Sequence, residues 1–98
     1  MAQFDVHRLA NGQLVLDLQS DFIDIGTRIV APLMPPDQSP TPLPRLEPVV
    51  TVEGASLVLH IAEMAAIPER LLSGPRIAHL GEQGYEIRGA LDMVFTGF

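Results

Sequence analysis

Phe4-Asp5-Val6-His7-Arg8, then Asn11-Gly12, then Leu14-Val15-Leu16-Asp17-Leu18: this opening stretch decides the fold. The two flanking runs carry alternating and aliphatic residues that suit strands. Asn11-Gly12 between them is a strong tight-turn pair, because both residue types tolerate positive φ. An antiparallel hairpin at the start of the chain follows. Asp21 to Gly26 reads as a connector. Arg28-Ile29-Val30-Ala31-Pro32-Leu33 predicts a third strand, and Pro32, lacking an amide donor, puts it at a sheet edge or near its own end.

Further on, Val49-Val50-Thr51-Val52 and Leu57-Val58-Leu59-His60-Ile61 predict a second hairpin across Glu53-Gly54-Ala55-Ser56. Glu63-Met64-Ala65-Ala66-Ile67 reads as a short helical turn that Pro68 ends. Arg76 to Leu80 reads as a last short strand or an irregular segment. Seven of the nine prolines fall between Pro32 and Pro48. That segment is an extended surface loop, or a polyproline ligand for an aromatic groove. Leu33, Leu43 and Leu46 suggest that parts of it dock on the core.

The C-terminal segment changes period. Ile87, Leu91, Val94, Phe95 and Phe98 fall at i, i+4, i+7, i+8 and i+11, one stripe of a helix over residues 84–98. Glu82 and Glu86 sit near its start, where the helix dipole favours acids. Gly84 and Gly89 weaken it by about 1 kcal/mol each if interior. So short a helix depends on packing its stripe. The expected fold class is mainly β with one C-terminal helix, in a single domain over residues 1–98.

Composition narrows the function. The chain is 47% hydrophobic and 18% charged, rich for a lone domain of 98 residues, which points to a homodimer. Its formal charge is −6, and the basic residues Arg8, Arg28, Arg45, Arg70, Arg76 and Arg88 are scattered singly with no lysine. Direct nucleic-acid binding needs a cationic patch, so it is disfavoured. The absence of cysteine excludes disulfide and thiolate chemistry. No signal peptide or membrane-length apolar run is present, so a cytoplasmic location is expected.

Catalytic and metal constellations are not evident, and no cofactor is expected. Asp17, Asp21 and Asp24 are close in sequence, but turn-forming and solvated roles account for them. His7, His60 and His79 are far apart and lack HxxH spacing; each reads as a surface or packed histidine. Ser20, Ser39, Ser56 and Ser73 lack an elbow motif, and the glycines are too dispersed to cradle a phosphate.

Three blocks together resemble the CcdB family, toxins of bacterial toxin–antitoxin pairs. The first is Leu16-Asp17-Leu18-Gln19-Ser20-Asp21-Phe22-Ile23-Asp24 with Arg28-Ile29-Val30-Ala31-Pro32-Leu33. The second is Leu46-Glu47-Pro48-Val49-Val50 with Met64-Ala65-Ala66-Ile67-Pro68. The third is the C-terminal helix, closing on Phe95, Gly97 and a large apolar last residue. The resemblance implies an SH3-like antiparallel barrel or sheet, assembled as a homodimer. It implies a poison of DNA gyrase that traps the cleaved-DNA complex on the A subunit, neutralised by a CcdA-like antitoxin, rather than an enzyme.

Carried over residue by residue, the resemblance puts Phe22, Ile23, Asp24, Asp92, Thr96, Gly97 and Phe98 at the gyrase contact. Ile87, Leu91, Val94 and Phe95 are expected to pack the dimer interface. The family ends in a Trp-Gly-Ile type tail; here the glycine matches at Gly97, Phe98 replaces the aliphatic, and Thr96 stands in the tryptophan position. A degenerate toxin that keeps dimerisation and antitoxin binding is therefore one alternative. Another is a MazF-like endoribonuclease, with Arg28 and Thr27, or His60 and Glu63, as acid–base groups.

Overall fold

The computed structural model describes residues 1–38, 43 and 45–97. Among the described residues the chain forms seven strands and one C-terminal helix: β1 (Asp5–Arg8), β2 (Leu14–Asp17), β3 (Thr27–Met34), β4 (Val49–Val52), β5 (Ala55–Leu59), β6 (Ala65–Pro68), β7 (Ala78–His79) and α1 (Gly84–Thr96). The strands make one barrel-like sheet in the order β4-β5-β3-β2-β1-β7, with β6 also on β3. All pairings are antiparallel. A mainly β fold with a C-terminal helix is what the sequence led us to expect.

Strand β3 is the hinge of the sheet. One side pairs with β2 from Val30 to Leu33, while the other takes β6 along Thr27–Val30 and β5 at Leu33 and Met34. β3 is a central strand, so of the two placements expected for Pro32, a sheet edge or near the strand's own end, the second holds. The Pro32 carbonyl accepts from the His60 N–H at 3.0 Å, and a strand residue aims its N–H and C=O the same way. The missing donor therefore falls where the partner changes from β6 to β5. The β2 ladder stays whole.

Two expectations are corrected. Residues 63–67 were expected to form a helical turn; instead Ala65–Pro68 is strand β6, and the turn lies just before it at Ile61–Glu63. Pairing with β3 outweighs the weak β preference of two alanines. The second hairpin turns at Glu53-Gly54 alone, since Val52 pairs directly with Ala55. Both turn residues have positive φ, 49° and 80°, as a type I′ turn demands. The first hairpin keeps its expected partners.

The sheet alternates cleanly, so β1–β3 bury two faces. One face gives Val6, Leu16, Ala31 and Leu33 to the main core, which Ile61, Leu80, Ile87 and Ala90 close from the helix side. The opposite face carries Asp5, His7, Asp17 and Arg28 beside Val15 and Val30, with Leu72 packed over the apolar part. Burying charge is unfavourable unless it is paired. Here Arg28 lies 2.9 Å from Asp17 through Nε and 3.0 Å through Nη2, a bidentate pair. Asp17 was expected to be a turn or solvated residue; it is fully buried.

The open edge at β4 is partly closed by a side chain. Gln83 accepts from the Thr51 N–H at 3.1 Å and donates to the Thr51 carbonyl at 3.2 Å, as a neighbouring strand would. Of the proline-rich stretch, Pro36–Gln38 forms a 3-10 turn, Leu33 and Leu46 pack on the core, and Leu43 is exposed. Helix α1 ends at Gly97, whose φ of 80° allows its N–H to bond the Met93 carbonyl at 3.0 Å.

Ile87 is completely buried inside its own chain, so it has no surface to offer a second copy. Ile87→Ala should lower the unfolding free energy by about 2–5 kcal/mol in denaturant titration. A loss below about 1 kcal/mol would mean that the site is not a packed core position.

Candidate functional site

The connector between β2 and β3 is where the chain departs from ordinary surface chemistry. All of residues 21–26 are exposed, yet the segment contains Phe22, Ile23 and Ile25. Phe22 is 97% exposed and Ile25 69%. Ile29, at the start of β3, is also exposed. Exposed apolar side chains this close together make the loop a candidate interaction site.

Hydrogen bonds, not packing, shape this loop. Ser20 Oγ accepts from the Phe22 N–H at 3.2 Å, and the Ser20 carbonyl accepts from the Ile23 N–H at 3.1 Å. Gln19 Nε2 donates to the Ile23 carbonyl at 2.8 Å. Asp21 accepts from the Gln3 N–H at 2.7 Å, and at the far end Glu69 N–H bonds the Gly26 carbonyl. Asp24 is exposed and makes no side-chain hydrogen bond among the described residues.

The second group of expected site residues sits on the last turns of α1. Asp92 and Thr96 are joined, since the Thr96 hydroxyl donates to the Asp92 carbonyl at 2.7 Å. That bond folds the hydroxyl back onto its own helix. Leu91 and Val94 are half-buried against the core, whereas Phe95 is 71% exposed. Phe95 therefore leaves the buried stripe on which its spacing placed it. Gly97 is exposed, and Phe98 lies outside the described residues. Each group coheres within itself, and no hydrogen bond or ion pair among the described residues joins loop to helix end.

Beside Asp92 runs a groove of about 550 Å³, whose lining includes Arg45, Pro48, Tyr85, Arg88 and Gly89. The Arg88 guanidinium stands 5.1 Å from the centre of the Phe4 ring, a cation–π contact that holds one wall.

The residues considered for acid–base chemistry have other employment. Arg28 is buried in its pair with Asp17, out of reach of a large substrate. His60 is buried, with Nδ1 3.0 Å from Glu63 and 3.3 Å from Glu47. At the β7 edge, His79 Nδ1 and Arg76 both meet Asp5 Oδ1, at 2.8 and 3.1 Å. Burial alone would raise the Asp5 pKa; the His79 and Arg76 hydrogen bonds outweigh it and hold the carboxyl below its usual range. For His7, burial dominates and pushes the imidazole below its usual value. Its Nε2 is buried with no hydrogen-bond partner among the described residues.

Ile25 and the exposure of Phe95 were missed in the sequence. For Ile25 a signal was present: an isoleucine between Asp24 and Gly26 is out of place in a solvated turn. The Gln19 tie carried none, because which backbone groups its amide meets is settled only once the loop and β3 are folded against it.

A hydrogen-bonded loop presenting exposed apolar side chains thus stands on a barrel-like β domain closed by a C-terminal helix. The chain belongs to the CcdB protein family, whose model matches residues 3–97, and thus to the toxins of toxin–antitoxin systems. A search of curated proteins found no match. Among the described residues no helix is long and apolar enough to cross a membrane.

The two shifted groups make acid stability predictable. Below about pH 6.5 the unfolded chain takes up a proton at His7 that the folded chain resists, so stability falls with pH. Asp5 adds to the loss at lower pH, as acid falls through its depressed pKa. Denaturant titrations between about pH 7.5 and 5.5 should show a shallower decline for His7→Leu than for the natural chain. Equal declines would contradict a buried neutral His7.

Proposed function

We propose that this chain is a cytoplasmic toxin that binds the A subunit of DNA gyrase as a homodimer and traps the cleaved-DNA complex. A CcdA-like antitoxin neutralises it. It acts as a topoisomerase poison rather than a catalyst, and needs no cofactor, no metal and no nucleic-acid contact of its own. The proposed gyrase contact comprises Phe22, Ile23 and Asp24 on the β2–β3 loop, with Asp92, Thr96 and Gly97 at the end of α1 and Phe98, the residue that follows in sequence.

The observation that carries this reading is Phe22, nearly fully exposed on a hydrogen-bonded loop, in a chain that belongs to the CcdB family. Keeping a phenylalanine in water forgoes roughly 1.5–3 kcal/mol of burial, which a partner recovers. The net charge of −6 without a lysine favours a protein partner over a nucleic acid. For the dimer, we assign Phe95 to the face between copies, with Leu91 and Val94 supporting it from the half-buried side.

A second reading has its own observation. Thr96 occupies the position where the family carries tryptophan, and its hydroxyl is spent on the Asp92 carbonyl. The helix end then has no aromatic face at that position to stack on a target. On this reading the chain is a degenerate toxin that still dimerises and binds antitoxin.

Incubating the protein with gyrase and supercoiled DNA separates the readings, with Thr96→Trp run in parallel. We expect trapped double-strand breaks from the natural chain, and the variant to reach the same level at about tenfold lower concentration. Breaks from the variant alone would establish the degenerate toxin. No breaks from either would overturn the gyrase assignment.

A further inference from the structure

We propose that Gln19, backed by Arg28, is a positioning residue that holds the β2–β3 loop in its binding shape before any target arrives. The inference rests on the proposed role of Phe22 and Ile23 as contact residues and adds the device that presents them. With all of residues 21–26 exposed, the loop has no packed side chain of its own to fix it. Its anchors must therefore come from outside.

Gln19 is the central anchor. The side chain is buried and spans two elements: Nε2 donates to the Ile23 carbonyl at 2.8 Å, and Oε1 accepts from the Ile29 N–H at 3.1 Å. It thus ties the middle of the loop to the start of β3. Its own backbone is fixed from both directions, because its N–H donates to Asp17 Oδ1 at 3.1 Å and its carbonyl accepts from Arg28 Nη2 at 3.0 Å. Arg28 Nη2 also comes within 3.6 Å of Asp21 Oδ1.

One guanidinium therefore faces Asp17, the Gln19 carbonyl and Asp21. The fork needs a planar, multi-donor cation, and lysine would supply only a point charge. An apolar pair in place of Asp17 and Arg28 could fill the same space with comparable stability. It could not orient the Gln19 backbone. The directionality of these bonds serves the loop, and a loop already ordered spends less of its binding energy on ordering.

The test pairs Gln19→Met, which keeps length and loses both hydrogen bonds, with Ser20→Ala at a half-buried surface site. Amide hydrogen exchange of the free full chain should show faster exchange at Ile23, Asp24 and Ile25 in both variants. Protection in β2 and β3 should stay unchanged in Ser20→Ala. Affinity for purified gyrase A subunit should fall roughly tenfold in Gln19→Met. In a Phe22→Ala background the same substitution should cost less than about threefold, because it acts through the loop it positions. A merely structural residue would cost the same in both backgrounds. Unchanged loop exchange in both variants, or an additive double substitution, would overturn the proposal. If the natural chain does not bind gyrase A, the assignment of the target fails, and the exchange data still decide whether Gln19 orders the loop.

Discussion

The buried pair of Asp17 and Arg28 is the constraint around which this structure is arranged. Two charges on a sheet face that is closed to water carry a desolvation cost of several kcal/mol each, which only close geometry offsets. The geometry here is bidentate, and Nη2 of the guanidinium also donates to the Gln19 carbonyl. The pair joins β2 to β3 and fixes where the chain leaves one strand and enters the next. Removing one partner would strand the other charge, at about 3–5 kcal/mol. Its worth lies less in net stability than in direction: it aims the loop outward and keeps it there.

From that pair the two faces of the sheet divide their work. The apolar face and α1 build the core, with Ile87 and Ala90 fully enclosed. The polar face holds a row from His79 and Asp5 through His7 to Asp17, Arg28 and Gln19, all on or beside β1–β3. The row makes the fold sensitive to acid, because His7 is kept neutral and Asp5 is kept charged. Beyond its end stand the exposed apolar residues of the loop. Stability and presentation thus draw on the same buried groups.

Much of the fold was legible in the residues. β-branched runs, an Asn-Gly turn and a helical stripe carry local signals strong enough to place both hairpins and α1. The failures share a cause. Ala65 and Ala66 pair in a strand because β3 needs a partner there, and β3 is central because β2, β6 and β5 all pair with it. Neither fact is local. Asp17 looks like a turn residue until Arg28 is opposite it. Phe95 continues the helical stripe by spacing, but within the single chain it is 71% exposed and packs on no core among the described residues. The site residues were named through family likeness, and their exposure and support came only from the three-dimensional arrangement.

The central claim is that the β2–β3 loop is a target face of a gyrase-directed toxin. Titrating purified gyrase A subunit with the natural chain and with Phe22→Asp tests it most directly, with thermal melts run on both proteins. Phe22 makes no packing contribution at 97% exposure, so the melting temperatures should agree. The account predicts tight binding by the natural chain and its loss in Phe22→Asp. Equal binding by the two proteins would contradict it.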